Sequence, residues 1–294
     1  MNFKINEGDI IGVVGVSNSL GNKNILEKAV KMFEANNLKI ELSDNIEEQK
    51  YGMCGDGKKR AQAFMKMIKD GDVKAIICLE GGNSCNNMID YLDYDIIKNN
   101  PKPIIGYSDV TVLLETISKM SEITTFHGPN FLCFGKEYGN QCMENFKNVF
   151  MNNSYKDLED SKIKIIKKGD CLGNIIGTNL ECTLYLAGTK YFPLMDNAIL
   201  FVERYITTPS ETYNEFYRLK QLGVLDKIKG LVIGYNYSYQ KEETGIKFED
   251  IALEICKDYN FPIYKIETFG HKIPNIIIPI GAYAKIVDGK IVLD

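Results

Sequence analysis

Apolar and polar positions come in blocks along the first half of the chain, and the blocks change period in a regular order. Residues 10–16 form a mostly apolar run of strand length, broken by Gly12 and Gly15. A turn at 18–22 follows, and Ile25, Ala29, Met32 and Phe33 then recur at helical spacing. Residues 38–42 alternate like a short strand. Residues 60–70 read as a helix with Ala61, Phe64, Met65 and Ile68 on one face. Residues 73–79 read as a second buried strand, ending in Glu80-Gly81-Gly82, and 87–91 suggest a short helix. A strand at 103–105 leads to Ser108, and Val110, Leu113, Leu114 and Ile117 form the inner face of the next helix. Apolar strands separated by amphipathic helices predict a parallel sheet with helices on both faces. Ligands of such sheets bind at the carboxyl ends of the strands.

The pattern changes between 152 and 169. Residues 153–160 are polar and rich in turn formers, and 163–170 mix isoleucine with lysine. We place a linker at 153–169, between an N-terminal α/β domain at 1–152 and a C-terminal domain at 170–294. The second half predicts a helix at 180–187 and a strand at 198–203. A helix then opens at Pro209 and is closed by Gly223. A strand at 228–234, a helix at 248–258 and short strands from 276 onward complete a mixed α+β pattern with a curved sheet.

Composition narrows the classes. The chain has 294 residues, 45% of them hydrophobic, which allows a substantial core and two domains. The formal net charge is −4 and no basic stripe occurs, so nucleic acid is not an expected partner. No run of about 18 apolar residues appears, so no membrane span is expected. The first residues lack a signal-peptide pattern, and the eight cysteines form no CxxC pair. Both features fit reduced thiols in a cytoplasmic protein without a metal site. Neither a GxxxxGK[ST] loop nor a GxGxxG fingerprint is present, and no cofactor is expected.

The candidate chemistry centres on Ile104-Ile105-Gly106-Tyr107-Ser108-Asp109-Val110. A serine on a turn between a buried strand and a helix is held rigidly, and nearby backbone N–H groups can receive an oxyanion. The local pattern falls short of a GxSxG elbow, because Val110 stands where the second glycine belongs. The alternative is a serine that caps the helix. Gly81-Gly82 ends another strand and permits a close backbone approach, while Asn83 and Asn86 could bind polar substrate atoms. Only two histidines exist, His127 and His271, both flanked by turn formers, and position alone favours neither as a base. Glu203 ends an apolar strand and could orient a histidine, or pair with Arg204 on the rim.

Together these residues resemble the LD-carboxypeptidase family of serine peptidases, which spans muramoyltetrapeptide carboxypeptidases and microcin C self-immunity proteins. The resemblance runs over nearly the whole chain and is tightest from Asn100 to Thr111. Further matching motifs are Phe126-His127-Gly128-Pro129, Gly177-Thr178-Asn179-Leu180, Gly188-Thr189 and Gly270-His271 with Pro279-Ile280-Gly281. It implies a Ser108-Glu203-His271 triad, an oxyanion hole from the N–H groups of Gly82 and Asp109, and an active site in a cleft between the domains. It also implies a barrel-like sheet in the C-terminal domain and a homodimer. His127 is read as a structural or substrate-side residue, with Asn83 and Asn86 as substrate contacts.

The chain departs from the family at Val16, where a proline often precedes the first-loop serine, and at Cys85, where a serine is common. It has no tryptophan, so the tryptophan-bearing loop of the immunity members is missing. The expected function is a serine carboxypeptidase that releases the terminal D-alanine of a murein tetrapeptide, with a small peptide or peptide-like partner. Two alternatives remain. One is an amidase that cleaves aminoacyl- or peptidyl-nucleotides, stacking its substrate on Tyr235, Tyr237 or Tyr239. The other is a non-catalytic binding protein of the same fold.

Overall fold

The computed structural model describes residues 3–241, 245–272 and 274–293. The apolar blocks of the first half become strands β1 (Ile10–Val14), β2 (Lys39–Leu42), β3 (Val73–Cys78), β4 (Ile104–Gly106) and β5 (Thr125–His127). They lie parallel in the order β5-β4-β3-β1-β2. Helices α1 (Lys23–Glu34), α2 (Gly57–Lys69), α3 (Tyr94–Asn99), α4 (Val110–Ser121) and α5 (Gly139–Phe150) cover both faces. Strand periodicity sorts the side chains. In β3, Ile76 and Cys78 join the core under α2, α3 and α4, while Ala75 and Ile77 join the core under α1 and α5. Asn22 and Asp56 start α1 and α2 by accepting backbone N–H bonds.

The second half contributes α6 (Lys156–Glu159), β6 (Ile163–Lys167), β7 (Cys171–Asn179), α7 (Leu180–Tyr185), β8 (Ala198–Glu203), α8 (Pro209–Gln221) and β9 (Gly230–Tyr235). It continues through α9 (Phe248–Ile255), β10 (Ile263–Gly270), β11 (Ile278–Ile280), β12 (Tyr283–Val287) and β13 (Lys290–Leu293). Seven of these strands form a curled, half-barrel sheet in the order β13-β12-β7-β8-β9-β10-β6. The whole is an α/β fold of two sheets. A capping box between Thr208 and Glu211 starts α8, as the Pro209 signal predicts. Gly223 follows it at φ +69°.

Two segments differ from the sequence pattern. Residues 163–167, expected within the linker, form β6 and pair antiparallel with β10, covering what would otherwise be a bare sheet edge. Strand β11, expected among the tail strands of the second half, crosses over and pairs antiparallel with β5. The N-terminal sheet is therefore mixed rather than wholly parallel.

The halves share a core. Cys182, Leu186, Tyr191 and Ile280 belong to the same buried cluster as α2 and α4. Thr111 and Thr178 share a hydrogen bond of 3.1 Å, and the Tyr191 hydroxyl donates to Asp90. Among the described residues no helix is long and apolar enough to cross a membrane.

Candidate active site

The carboxyl edges of both sheets meet at one place. Ser108 follows β4, Asn179 ends β7, Glu203 ends β8 and His271 follows β10. Ser108 sits in the left-handed region at φ +64°, which costs a non-glycine residue on the order of 1–3 kcal/mol. It does not cap the helix. The N-cap position of α4 belongs to Asp109, and no side-chain cap bond forms there.

His271 Nε2 lies 3.0 Å from Ser108 Oγ, and its Nδ1 lies 2.7 Å from Glu203 Oε2. A carboxylate only accepts, so Nδ1 donates to Glu203 and Nε2 is left to accept the serine hydroxyl. Glu203 is fully buried and also receives the His271 backbone N–H at 3.2 Å. Its second oxygen accepts from Asn179 Nδ2 at 2.7 Å. Asn179 stands opposite Glu203 in the β7–β8 register, and its Oδ1 caps α7 through the N–H of Cys182. Arg204 turns away to Glu181 and Glu215, so it does not pair with Glu203 on the rim.

Aromatic rings hold the imidazole on two sides. Tyr205 stacks on His271 with centroids 4.6 Å apart, and Tyr107 approaches at 5.3 Å. Tyr237 follows Tyr205 at 5.0 Å. Of the three tyrosines expected to form an aromatic surface, only Tyr237 joins this ladder. Tyr235 lies under the Lys272 ammonium, and Tyr239 packs on Phe248.

Gly81 and Gly82 wall the other side of Ser108. A Cβ on Gly81 would lie 3.0 Å from Ser108 Cβ, and one on Gly82 would collide with Ser17 Oγ and Asn18 Oδ1. The backbone N–H groups of Gly82 and Asp109 make no hydrogen bond within the described chain. The Asp109 carboxylate is buried and accepts from Ser17 Oγ at 2.5 Å, Ser84 N at 2.7 Å and Cys85 N at 2.9 Å. Beneath it lies the fully buried Arg60 guanidinium, which donates to the carbonyls of Val16 and Ser84, to Ser84 Oγ and to Asn87 Oδ1.

Asn83 and Asn86 are exposed on the same loop. His127 is different. It is fully buried behind the site, between Tyr107 and Phe269, and β11 seals it in. Neither ring nitrogen has a hydrogen-bond partner among the described residues. Burial pulls its pKa down to about 3, so it is neutral at physiological pH. The substrate-side role expected for His127 is corrected accordingly, since a sealed imidazole cannot touch a ligand in the cleft. Among the described residues no group of three or more His, Cys, Asp or Glu side chains could hold a metal ion.

Sequence reasoning missed Asn179, Tyr205, Arg60, Ser17 and Ser84. Asn179 directly before an apolar helical stretch was a visible cap signal. The others left no local mark, since their partners lie far away in the chain. A cavity of about 880 Å³ lies at the opposite edge of the C-terminal sheet between Asp170, Asp258 and Tyr283, away from these residues.

Residues 11–128 match the LD-carboxypeptidase N-terminal domain and residues 172–286 match the LD-carboxypeptidase C-terminal domain. A putative carboxypeptidase of Treponema pallidum is 28% identical over 97% of this chain and 92% of its own length. The microcin C7 self-immunity protein MccF of Escherichia coli is 25% identical over 93% of this chain and 89% of its own length. The solved structure of MccF with glutamyl sulfamoyl guanosine superposes with a TM-score of 0.91 at 23% identity, covering 99% of this chain and 97% of that one. Further MccF structures hold aspartyl sulfamoyl adenosine and adenosine monophosphate. These ligands overturn the expectation of a small peptide or peptide-like partner, because each of them contains a nucleoside.

Proposed function

The chain belongs to the LD-carboxypeptidase family of serine-type amide hydrolases, and from that premise we propose that it cleaves the amide-type bond joining an aminoacyl or peptidyl group to a nucleotide. One observation carries the choice of substrate. Tyr205, 44% exposed, lies directly on the imidazole of His271 and continues into Tyr237, which gives a purine base an aromatic wall beside the reacting atoms. This wall stands in a chain that has no tryptophan.

In this reading Ser108 is the nucleophile. Its hydroxyl proton passes to His271 Nε2 as Oγ bonds to the acyl carbon. The carbonyl electron pair moves onto oxygen, and the N–H groups of Gly82 and Asp109 receive the charge. Collapse breaks the carbon–nitrogen bond while His271 returns the proton to the leaving nitrogen. Water then repeats the sequence on the serine ester, His271 taking its proton and handing it back to Oγ. A free carboxylate and the nucleotide amine component leave. Glu203 fixes the imidazole tautomer and stabilises the imidazolium, and Asn179 holds Glu203 in turn.

The test is product analysis with aspartyl sulfamoyl adenosine and a murein tetrapeptide offered to the same enzyme. The expected result is free aspartate and sulfamoyl adenosine, with kcat/KM at least tenfold above that for D-alanine release. Release of D-alanine alone would contradict the proposal.

A further inference from the structure

We infer that the Asp109 carboxylate is a positioning residue that sets the spacing of the two oxyanion donors, its own backbone N–H and that of Gly82. The inference rests on the reading of Ser108 as nucleophile and extends it to what holds the oxyanion hole in shape.

An aspartate at the N-cap of a helix ordinarily accepts the N–H groups of its own first turn. Asp109 occupies that position on α4 and makes no such bond. Its carboxylate is turned instead to the facing loop. One oxygen, Oδ2, accepts all three bonds, from Ser17 Oγ, Ser84 N and Cys85 N. Ser84 and Cys85 come two and three residues after Gly82, so the loop that presents the second donor is tied to the residue that presents the first. From the other side, Gly82 packs so close to Ser17 and Asn18 that an added Cβ would collide with Ser17 Oγ and Asn18 Oδ1.

The burial of a carboxylate is offset by hydrogen bonds and by a charge match nearby. Arg60 supplies the match. It is fully buried, donates to Ser84 Oγ at 3.1 Å, and Ser84 Oγ lies 3.3 Å from Ser17 Oγ. The chain Arg60–Ser84–Ser17–Asp109 thus links α2, the loop after β1, the glycine loop and the start of α4. Oxyanion donors act through preorganised geometry, and losing one costs roughly 10²–10³ in rate. Removing the carboxylate would free the glycine loop from α4 while leaving Ser108, His271 and Glu203 untouched.

A fluorophosphonate probe tests this without any assumption about the natural substrate. Ser108 Oγ bonds to phosphorus, fluoride leaves, the hydroxyl proton passes to His271, and the phosphoryl oxygen occupies the oxyanion hole. The second-order labelling rate is read by intact mass for the wild type, Asp109→Ala and Asp109→Asn across pH. Asp109→Ala should label at least thirtyfold more slowly, with the midpoint of the pH–rate curve unmoved. Asp109→Asn, which keeps an acceptor oxygen, should recover at least fivefold. A rate for Asp109→Ala within threefold of wild type overturns the inference. So does a shifted midpoint, which would place the effect on His271. If Asp109→Ala fails to fold, Ser17→Ala carries the test, since it removes one of the three bonds. It should slow labelling three- to tenfold, and an unchanged rate overturns the inference. A wild-type protein that is not labelled at all defeats the nucleophile reading and this inference together. Labelling that follows Asp109 without hydrolysis of the nucleotide conjugate would defeat only the proposed substrate.

Discussion

Ser108 carries both strain and chemistry. Its φ of +64° is a conformation that favours glycine, and its hydroxyl is bonded to the imidazole only because the backbone turns that way. Stability and activity should therefore separate at this one position. Ser108→Ala should abolish turnover with little change in Tm, since it keeps the strained backbone. Ser108→Gly should abolish turnover equally and unfold at a Tm about 1–2 °C higher than Ser108→Ala, reflecting about 1 kcal/mol of relieved strain. Equal Tm values for the two variants would show that the turn stores no strain. The residue itself was visible in the sequence as a serine on a strand–helix turn. Its conformation was not, because Tyr107-Ser108-Asp109 contains no glycine to announce a positive φ. His127 misled in the opposite way. It carries the same turn-flanked signature as His271, and only the pairing of β5 with β11 reveals that it is sealed.

The informative element is α4, which begins beside Ser108 and crosses onto β7 and α7. Glu115 lies on its inner face, 1% exposed, and neither carboxylate oxygen makes a well-formed hydrogen bond. Burial pushes its pKa up to about 8, against an ordinary value of 4.5. The folded protein thus keeps a proton that the unfolded chain releases, and stability falls as pH rises from about 4.5 to about 8. His127 acts in the other direction. Its pKa falls from 6.5 to about 3, so it lowers stability as pH drops through that window. Above 6.5 Glu115 still contributes, and so does Glu215, whose pKa burial raises to about 7. Denaturant titrations should show wild-type stability falling by about 1–2 kcal/mol per pH unit between pH 6.5 and 7.5. Glu115→Gln should remove at least half of that slope and leave the part that belongs to Glu215, and equal slopes in both proteins would contradict a buried, neutral Glu115. The helix itself was legible from Val110, Leu113, Leu114 and Ile117. The burial of Glu115 was not, since a glutamate at helical spacing reads as a solvated position until α7 is seen to cover it.

At the scale of the molecule, two sheets meet carboxyl edge to carboxyl edge, and a shared core fixes their relation. The order of apolar blocks foretold both sheets, because strand and helix periods are local properties of sequence. The crossing of β11 and the pairing of β6 were not foretold, because sheet edges are chosen by whichever partner can cover them. The site has the same character. Ser108 and His271 are separated by 163 residues, and Glu203 and His271 by 68, so no local pattern encodes their contact. Resemblance to a family supplied those residues, and the structure supplies their distances. The aromatic ladder from His271 to Tyr237 and the clamp around Asp109 emerge only in three dimensions. In the function proposed for it, this assembly passes an acyl group through Ser108. Rapid-quench mass spectrometry of the wild type during turnover of aspartyl sulfamoyl adenosine tests it most directly. A transient aspartyl ester should form that maps to the peptide containing Ser108 and is absent from Ser108→Ala. Turnover without that ester, or with the adduct on another residue, would contradict it.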